Sequence, residues 1–311
     1  MILRKQFDLR IVFRNIRNEV LTTLIVATVI FLLYRFEAIR LGLPFPIVAT
    51  LGSALAIFIA FRNQSAYSRW WEARTIWGGV INSSRIFARQ VVANVQASVS
   101  AGKCEKNQAS AFAKELVYRQ IAFAHALRLH LRREADWEVL QSLLEPEEYR
   151  ALLTAQNKPN MLLLRQGIRI REGIAADMLN PFDNMTMEQN LATFNNWQGA
   201  CERIKNTPLL RNYYYFTRLF LYVFIVVLPF CLANDFARIN AEWLIIPVSF
   251  IICFVFAVMN RVGEVNEDPF ENDIHDVPMT ALCNTIERDL KEQLGEIDLP
   301  VKAEPVNGFL F

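Results

Sequence analysis

The sequence is short of the residues that build turns and cross-links. Its 311 residues include only 11 Gly and 12 Pro, which argues against a turn-rich all-β protein. Five cysteines are scattered along the chain without a Cys-x-x-Cys pair, which excludes a small disulfide-stapled fold. Neither sign of charge dominates, since 33 basic residues stand against 31 acidic ones, and the balance gives no reason to expect a nucleic-acid partner.

Recognisable catalytic signatures are also missing. The chain has no phosphate-binding loop, dinucleotide fingerprint, nucleophile elbow or HExxH metal motif. Two of its three histidines, His125 and His130, are five residues apart, which makes them a poor metal pair on a helix. We therefore predict that the protein is not an enzyme and requires no cofactor.

What the sequence has in excess is hydrophobicity, and this hydrophobicity is clustered. Hydrophobic residues make up 53% of the chain and the mean hydropathy is +0.19. Four charge-free runs account for the excess, at residues 20–34, 41–61, 219–234 and 243–260. Because a helix needs about 20 residues to cross the hydrocarbon core, we predict four membrane helices, two of them completed by flanking aromatic and Arg residues.

The placement of Lys and Arg predicts the orientation of these helices. Basic residues crowd the N-terminal arm and both flanks of the long middle region, and they are few in the short connectors at 35–40 and 235–242. The predicted organisation is a cytosolic arm at 1–19, a membrane hairpin at 20–61, a cytosolic insert at 62–211, a second membrane hairpin at 212–260 and a cytosolic C-terminal segment at 261–311.

The insert has a helical pattern throughout. Apolar residues recur at three- and four-residue spacings in 108–133, 136–156, 162–178 and 187–205. Loops are expected near 101–103, 157–160 and 180–181. Since no alternating strand pattern runs over a useful length, the predicted fold class is all-α.

The second apolar run is ordered into two stripes. Small residues recur at four-residue spacing at Gly52, Ala56 and Ala60. A neighbouring face carries Ser53, Ile57 and Phe61 at the same spacing. Small residues allow helices to approach closely in membranes, and a ring of apolar side chains around an axis forms a constriction that gates by dewetting. Packing of both stripes inside a monomeric bundle is the alternative, and spacing alone does not decide between the two.

Several motifs resemble those of the bestrophin family, and specifically its bacterial branch. They are FRNQSAYSRWWEAR at 61–74, CERIKNTP at 201–208, DPFEND at 268–273 and IERDL at 286–290. Their order relative to the four apolar runs is that of the family, and the resemblance covers roughly residues 5–295.

The resemblance implies an all-helical, homopentameric ion channel with four membrane helices per subunit around a central pore. It implies a bacterial inner membrane location with both termini in the cytoplasm. It places the pore neck at Ser53, Ile57 and Phe61, and because Ser53 replaces a bulky apolar residue, we expect a shorter neck that wets more easily. It also implies a second, basal aperture, for which the candidates are Ile168, Ile174, Met178 and Leu179.

Two further groups of residues take their interpretation from the family. The neck-exit motif contributes Arg62, Asn63, Trp70, Trp71, Glu72 and Arg74. The tryptophans, Glu72 and Arg74 either gate the pore or pack and pair between helices, and we favour packing. Animal members bind calcium at an acidic run that corresponds here to Asp268, Glu271, Asp273 and Asp276. This run is thinned by Ile274 and His275, so we expect at most a weak metal site.

The resemblance leaves the selected ion open. Its bacterial branch favours monovalent cations such as sodium or potassium, whereas animal members conduct chloride. The expected partners are further copies of the chain, the lipid bilayer and the permeating ions. A non-conducting membrane scaffold or sensor is an alternative that would not need stacked Ile57 and Phe61. A secondary transporter would be expected to show inverted repeats and ionisable groups inside the apolar runs, and the four runs contain neither.

Overall fold

The computed structural model describes residues 1–2, 9–36 and 42–311. Parts of the predicted N-terminal arm (3–8) and of the first connector (37–40), and the first residue of the second apolar run (41), lie outside the described residues. The fold is all-helical, as predicted, with 77% helix and no strand in the described ranges. The helices are α1 Leu9–Asn15, α2 Arg17–Arg35, α3 Phe45–Ser100, α4 Lys106–Arg132, α5 Pro146–Thr154, α6 Lys158–Ala175, α7 Asp183–Asn206, α8 Arg211–Arg238, α9 Ile245–Val265 and α10 Met279–Gln293.

The chain divides into two compact units. The hairpin unit consists of residues 4–70 and 208–268, and the insert unit consists of residues 1–3, 71–207 and 269–311. Residues 62–70 and 261–268, which the sequence places in the predicted cytosolic segments, pack with the hairpin unit, and the predicted membrane boundaries stay a prediction. The physical reason is that side chains just after the apolar part of α3 are hydrogen-bonded to α9.

Four stretches of helix are long and apolar enough to cross a membrane. They are Arg17–Arg35, Phe45–Ser100, Asp183–Arg238 and Glu242–Val265. They contain three of the predicted apolar runs completely and residues 45–61 of the remaining one. The four-helix expectation is therefore confirmed.

Within the hairpin unit, α3 packs on α8 through one face. The buried residues at this contact include Leu55 and Ile59 from α3 and Leu221, Phe224 and Leu228 from α8. A Cβ added at Gly52 would lie 3.1 Å from the Phe224 ring, so the glycine permits the close approach. The small-residue stripe is thus divided, because Gly52 faces the chain's own α8 while Ala56 and Ala60 are exposed.

Helix α4 is the centre of the insert unit. Every residue from 119 to 127 is buried, as expected for a helix covered on all sides. Its Phe123 ring lies 5.5 Å from the Phe194 ring of α7. The buried Arg119 donates to the Glu148 carboxylate at 2.6 and 2.8 Å and to Glu115 at 2.7 Å, so its charge is fully compensated.

The start of α6 corrects one predicted loop. Residues 158–160 are not a loop but the first turn of the helix. The Asn157 side chain accepts a hydrogen bond from the Asn160 backbone N–H at 3.1 Å, and Pro159 occupies the first turn. An Asn cap followed by an early proline is typical of a helix start, so this break shortens to a few residues before 158.

Candidate functional site

The predicted neck residues lie on the exposed face of α3. Ile57 is 56% exposed and Phe61 is 64% exposed, whereas Leu55 and Ile59 on the same helix are 1% and 2% exposed. At about 100° per residue, the stripe containing Ile57 points about 170° away from the buried face. The stripe therefore faces away from the chain's own helices.

Polar side chains continue this exposed stripe at both of its ends. Thr50 and Ser53 precede the two apolar side chains, and Gln64 and Ser68 follow them. The hydroxyls of Thr50 and Ser53 donate to backbone carbonyls one turn earlier, at 2.9 Å each, which leaves their oxygens free to accept. Thr50, Gln64 and Ser68 are not among the residues predicted from the sequence, although Thr50 and Gln64 lie three residues from the neck and Ser68 lies four residues beyond Gln64.

The stripe carries the kinds of side chain that the predicted neck requires. Two apolar positions, Ile57 and Phe61, lie between polar ones, and none of them carries a charge. Apolar rings built from such side chains would control whether water and ions pass, because a narrow apolar stretch empties of water easily. They do not choose the sign of the ion, which must depend on charged groups elsewhere.

The first two residues of the neck-exit motif join α3 to α9. Arg62 is 1% exposed, and its Nη1 donates to Asn260 Oδ1 at 3.0 Å. Asn63 Nδ2 donates to the Met259 carbonyl at 2.9 Å. Both residues therefore hold the helix in place, and neither reaches the exposed stripe.

The rest of this motif has a mixed environment. Trp70 and Arg74 are partly buried, while Trp71 is 55% exposed. Glu72 accepts from Arg203 Nη2 at 2.5 Å, which brings the motif at 61–74 to the motif at 201–208. Because both members of this ion pair are largely exposed, it contributes little stability. This contact is of the pairing kind that we favour over gating.

The four aperture candidates differ in exposure. Ile168 on α6 is 43% exposed, Ile174 and Met178 are partly buried, and Leu179 is only 2% exposed. In the described chain Leu179 is thus a core residue. Ile168 also lines a surface cavity of about 450 Å³.

The turn that carries Met178 is built by the end of α6. The Met178 N–H donates to the Gly173 carbonyl at 2.9 Å, and Asp177 between them has a left-handed φ of 55°. A Cβ at Gly173 would overlap the Phe112 ring, so only glycine lets the turn pack there. Asp177 is exposed beside Met178, so one aperture candidate has an acidic neighbour.

Ile168 has charged neighbours of both signs, because glutamates such as Glu172 line its cavity together with arginines. Arg165 and Arg171 are both exposed on α6, three residues to either side of it. Arg169 is partly neutralised, because it donates to Glu115 at 2.8 and 2.9 Å. The charge around Ile168 is therefore mixed, whereas the exposed neighbour of Met178 is acidic.

The acidic run after α9 fits a calcium ion poorly. Glu271 accepts from Lys205 Nζ at 2.6 Å, and Asp268 pairs with Arg69 at 3.5 Å. Asp276 accepts from the backbone N–H groups of Glu271 and Asp273 at 2.6 and 3.0 Å, and its burial raises its pKa to about 6. No group of three or more His, Cys, Asp or Glu in the described part of the chain could hold a metal ion. Calcium needs six to eight oxygens, and these carboxylates already have other partners.

These features define an all-helical membrane protein with four candidate spanning helices. The chain belongs to the bacterial and fungal bestrophin family, whose model matches residues 6–292. It is 32% identical over 271 residues to the voltage-dependent anion channel-forming protein YneE of Salmonella typhi, a match covering 85% of this chain and 82% of that protein. YneE of Escherichia coli K12 is also 32% identical, over 272 residues, covering 86% and 83% of the two chains.

Solved structures of the family have the same fold. The crystal structure of a bacterial bestrophin homologue from Klebsiella pneumoniae matches with a TM-score of 0.81 at 29% identity. The match covers 91% of this chain and all of that one, at 100%. The resemblance carried by the sequence motifs is therefore confirmed, and the chain is a membrane protein of an ion-channel family.

Proposed function

We propose that the protein is a homopentameric ion channel whose neck is formed by the exposed stripe of α3. The observation that supports this most strongly is the exposure of Ile57 and Phe61, at 56% and 64%, on the face opposite the buried one. A stripe that only contacts lipid requires apolar side chains, and it does not require polar residues at its two ends. The stripe has them at Ser53 and Gln64, as expected for side chains that meet water above and below a constriction.

A pore of this kind requires several copies of the chain. The exposed stripe lies on a single helix, and one helix cannot surround an axis. Five copies of α3, the number implied by the family resemblance, would place five Ile57 and five Phe61 side chains in two stacked rings. In this proposal the insert unit forms a cytosolic vestibule, both termini are cytoplasmic in a bacterial inner membrane, and the protein is not an enzyme.

We propose selectivity for monovalent cations such as sodium and potassium. The apolar rings are neutral, so the charges along the remainder of the path decide the sign of the ion. Asp177 is exposed in the turn next to Met178, and rings of acidic side chains favour cations. The resemblance to the bacterial branch implies the same assignment.

Anion selectivity is the second candidate. The curated relatives are named anion channel-forming proteins. If Ile168 forms the aperture and the exposed Arg165 and Arg171, rather than the glutamates of the same cavity, face the ion path, they would attract anions. The two candidates therefore differ in which part of the α6 region meets the ion.

The reversal potential in a planar bilayer tests the proposal. With a tenfold KCl activity gradient, an ideal cation channel reverses at about 59 mV with the sign of the potassium potential, and an anion channel reverses at the opposite sign. A value near zero would contradict both selectivities, and the absence of current from the purified oligomer would contradict the channel proposal. A monomer in detergent would exclude the pentameric neck.

A further inference from the structure

Arg62 follows the predicted neck directly, and its charge is buried. The side chain is 1% exposed and is among the largest fully buried side chains in the described residues. A buried guanidinium is strongly unfavourable unless it is both paired and hydrogen-bonded. Its partners are therefore essential to the local structure at the end of the neck.

Helix α9 and the turn after it supply most of these partners. Arg62 Nη1 donates to Asn260 Oδ1 at 3.0 Å, and Nη2 donates to Glu267 at 3.1 Å. The Glu264 carboxylate lies 3.8 Å from Nη1, and the Tyr214 ring of α8 lies 4.8 Å from the guanidinium carbon. One cation of α3 is thus held by an amide, two carboxylates and an aromatic face.

A second contact at the same level keeps the two helices close together. Asn63 Nδ2 donates to the Met259 carbonyl at 2.9 Å. A Cβ at Gly263 would overlap the Asn63 side chain, so the helices can approach this closely only at a glycine. The α9 residues that take part, Asn260, Gly263 and Glu264, have the spacing of one helix face, and Glu267 lies two residues beyond the end of the helix.

This connection controls the direction of the neighbouring neck side chains. Successive residues of a helix are about 100° apart, so Phe61 cannot rotate about the helix axis unless Arg62 rotates too. A side-chain atom about 6 Å from the helix axis moves by about 2 Å when the helix turns by about 20°. In a narrow apolar ring, such a displacement changes the opening that an ion meets.

We propose that Arg62 is a positioning residue for the pore. Its bonds to Asn260 and Glu267 set the rotation and height of α3, and so hold Ile57 and Phe61 towards the conduction axis. The inference rests on the proposed function of the exposed stripe. Arg62 itself does not touch the permeating ion, because its side chain points to α9.

The test compares Arg62→Gln with the matched control Arg261→Gln in the full-length protein. Arg261 follows Asn260 directly on α9 and pairs with the Glu264 carboxylate at 2.7 Å, but its side chain is 41% exposed. The first measurement is unitary conductance in a planar bilayer. The second is the rate at which a cationic methanethiosulfonate modifies the thiol of Phe61→Cys in a Cys104→Ser background. Mass spectrometry of the protein follows this reaction. The other four cysteines are buried, so the introduced thiol dominates the signal.

We expect Arg62→Gln to change both the conductance and the modification rate at least about twofold, and Arg261→Gln to leave both unchanged. Arg62→Lys keeps the charge but replaces the two guanidinium Nη donors by a single ammonium, so we expect an intermediate effect. A purely structural role would lower the yield of folded protein without moving either measurement in the folded fraction. Unchanged values for a folded Arg62→Gln would overturn the proposal.

Glu267→Gln covers the case in which Arg62→Gln does not fold. It keeps an acceptor oxygen and the size of the side chain, and it removes only the charge. Altered conductance and thiol modification in this variant support the proposal, and values equal to those of the parent overturn it. A parent protein that carries no current overturns the proposed function together with this inference. A conducting parent with insensitive variants overturns the inference alone.

Discussion

Replacing Ile57 and Phe61 by alanine should open the neck. On standard bond lengths, a Phe ring extends about 4 Å beyond its Cβ and an Ile Cδ1 about 2.5 Å. In a five-fold ring, truncation could widen the opening by up to about 8 Å at position 61 and about 5 Å at position 57. We expect at least about a twofold rise in unitary conductance, because a wider ring with less apolar surface stays wet.

The same substitutions should have little effect on stability. Both side chains are more than half exposed, at 56% and 64%, and changes at exposed positions usually stay within about 0.5 kcal/mol. Leu55→Ala is the matched control, since Leu55 is on the same helix but only 1% exposed. It should cost about 2–5 kcal/mol, as large-to-small core changes do, and its surviving channels should have normal conductance.

The assay combines single-channel recording with thermal unfolding in detergent for the same preparations. We expect substitution at positions 57 and 61 to change the unitary current without lowering the unfolding temperature. We expect Leu55→Ala to lower the unfolding temperature without changing the unitary current. If the double alanine variant conducts like the parent, these side chains do not form the constriction. If the variant instead unfolds several degrees lower, they are core residues and the exposed-stripe argument is wrong.

Three further outcomes are expected. Burial raises the Asp276 pKa from 3.8 to about 6, so the folded state holds this proton more tightly than the unfolded chain does. The free energy of unfolding should therefore fall by up to about 3 kcal/mol as the pH rises from about 4 to about 6. Asp276→Asn should flatten that slope in thermal unfolding, and an unchanged slope would contradict the assignment. Gly173→Ala, which drives a Cβ into the Phe112 ring, should cost about 1–3 kcal/mol. A Cβ at Gly199 would meet open space, so Gly199→Ala should raise the free energy of unfolding by about 0.5–1 kcal/mol. Equal Tm values for the two glycine variants would contradict this difference. Asp177→Asn should move the reversal potential in a KCl gradient towards zero, and no movement would argue against the turn at Met178 as part of the ion path.

Much of the fold could be predicted because bilayer thickness imposes a length on each apolar run. The run at 243–260 is a continuous apolar segment of the required size, and it lies within the α9 region. The four-residue spacing of Ile57 and Phe61 also specified which residues share a face. The structure then added that this face lies opposite the chain's own core, which spacing alone could not decide.

Local signals were available where the sequence analysis went wrong. Asn157 and Pro159 were interpreted as loop residues, although an Asn cap and an early proline are start signals for a helix. The burial of Arg62 was not foreseen, since a charge at the end of an apolar run usually extends to the membrane surface. Its partners Asn260 and Glu267 are about 200 residues away in the sequence, and only the three-dimensional approach of α9 and the turn after it to α3 shows that they meet Arg62.

The basal aperture could not be chosen from sequence for a different reason. Ile168 and Leu179 are both aliphatic residues in a helical pattern, and their exposures of 43% and 2% arise from packing between distant segments. The end of the chain gave no pattern either. Its Leu310 N–H donates to the Met1 carbonyl at 2.9 Å, a contact between residues separated by almost the whole sequence.

A cysteine scan of the apolar part of α3 tests the central claim most directly. Each residue from 53 to 61 is replaced singly by Cys in the Cys104→Ser background, and block of the bilayer current by a cationic methanethiosulfonate is measured. We expect the strongest block at positions 53, 57 and 61, with little at 55 and 59. Maximal block at 55 and 59, or equal block at every position, would show that the exposed stripe of α3 does not line the path of the ions.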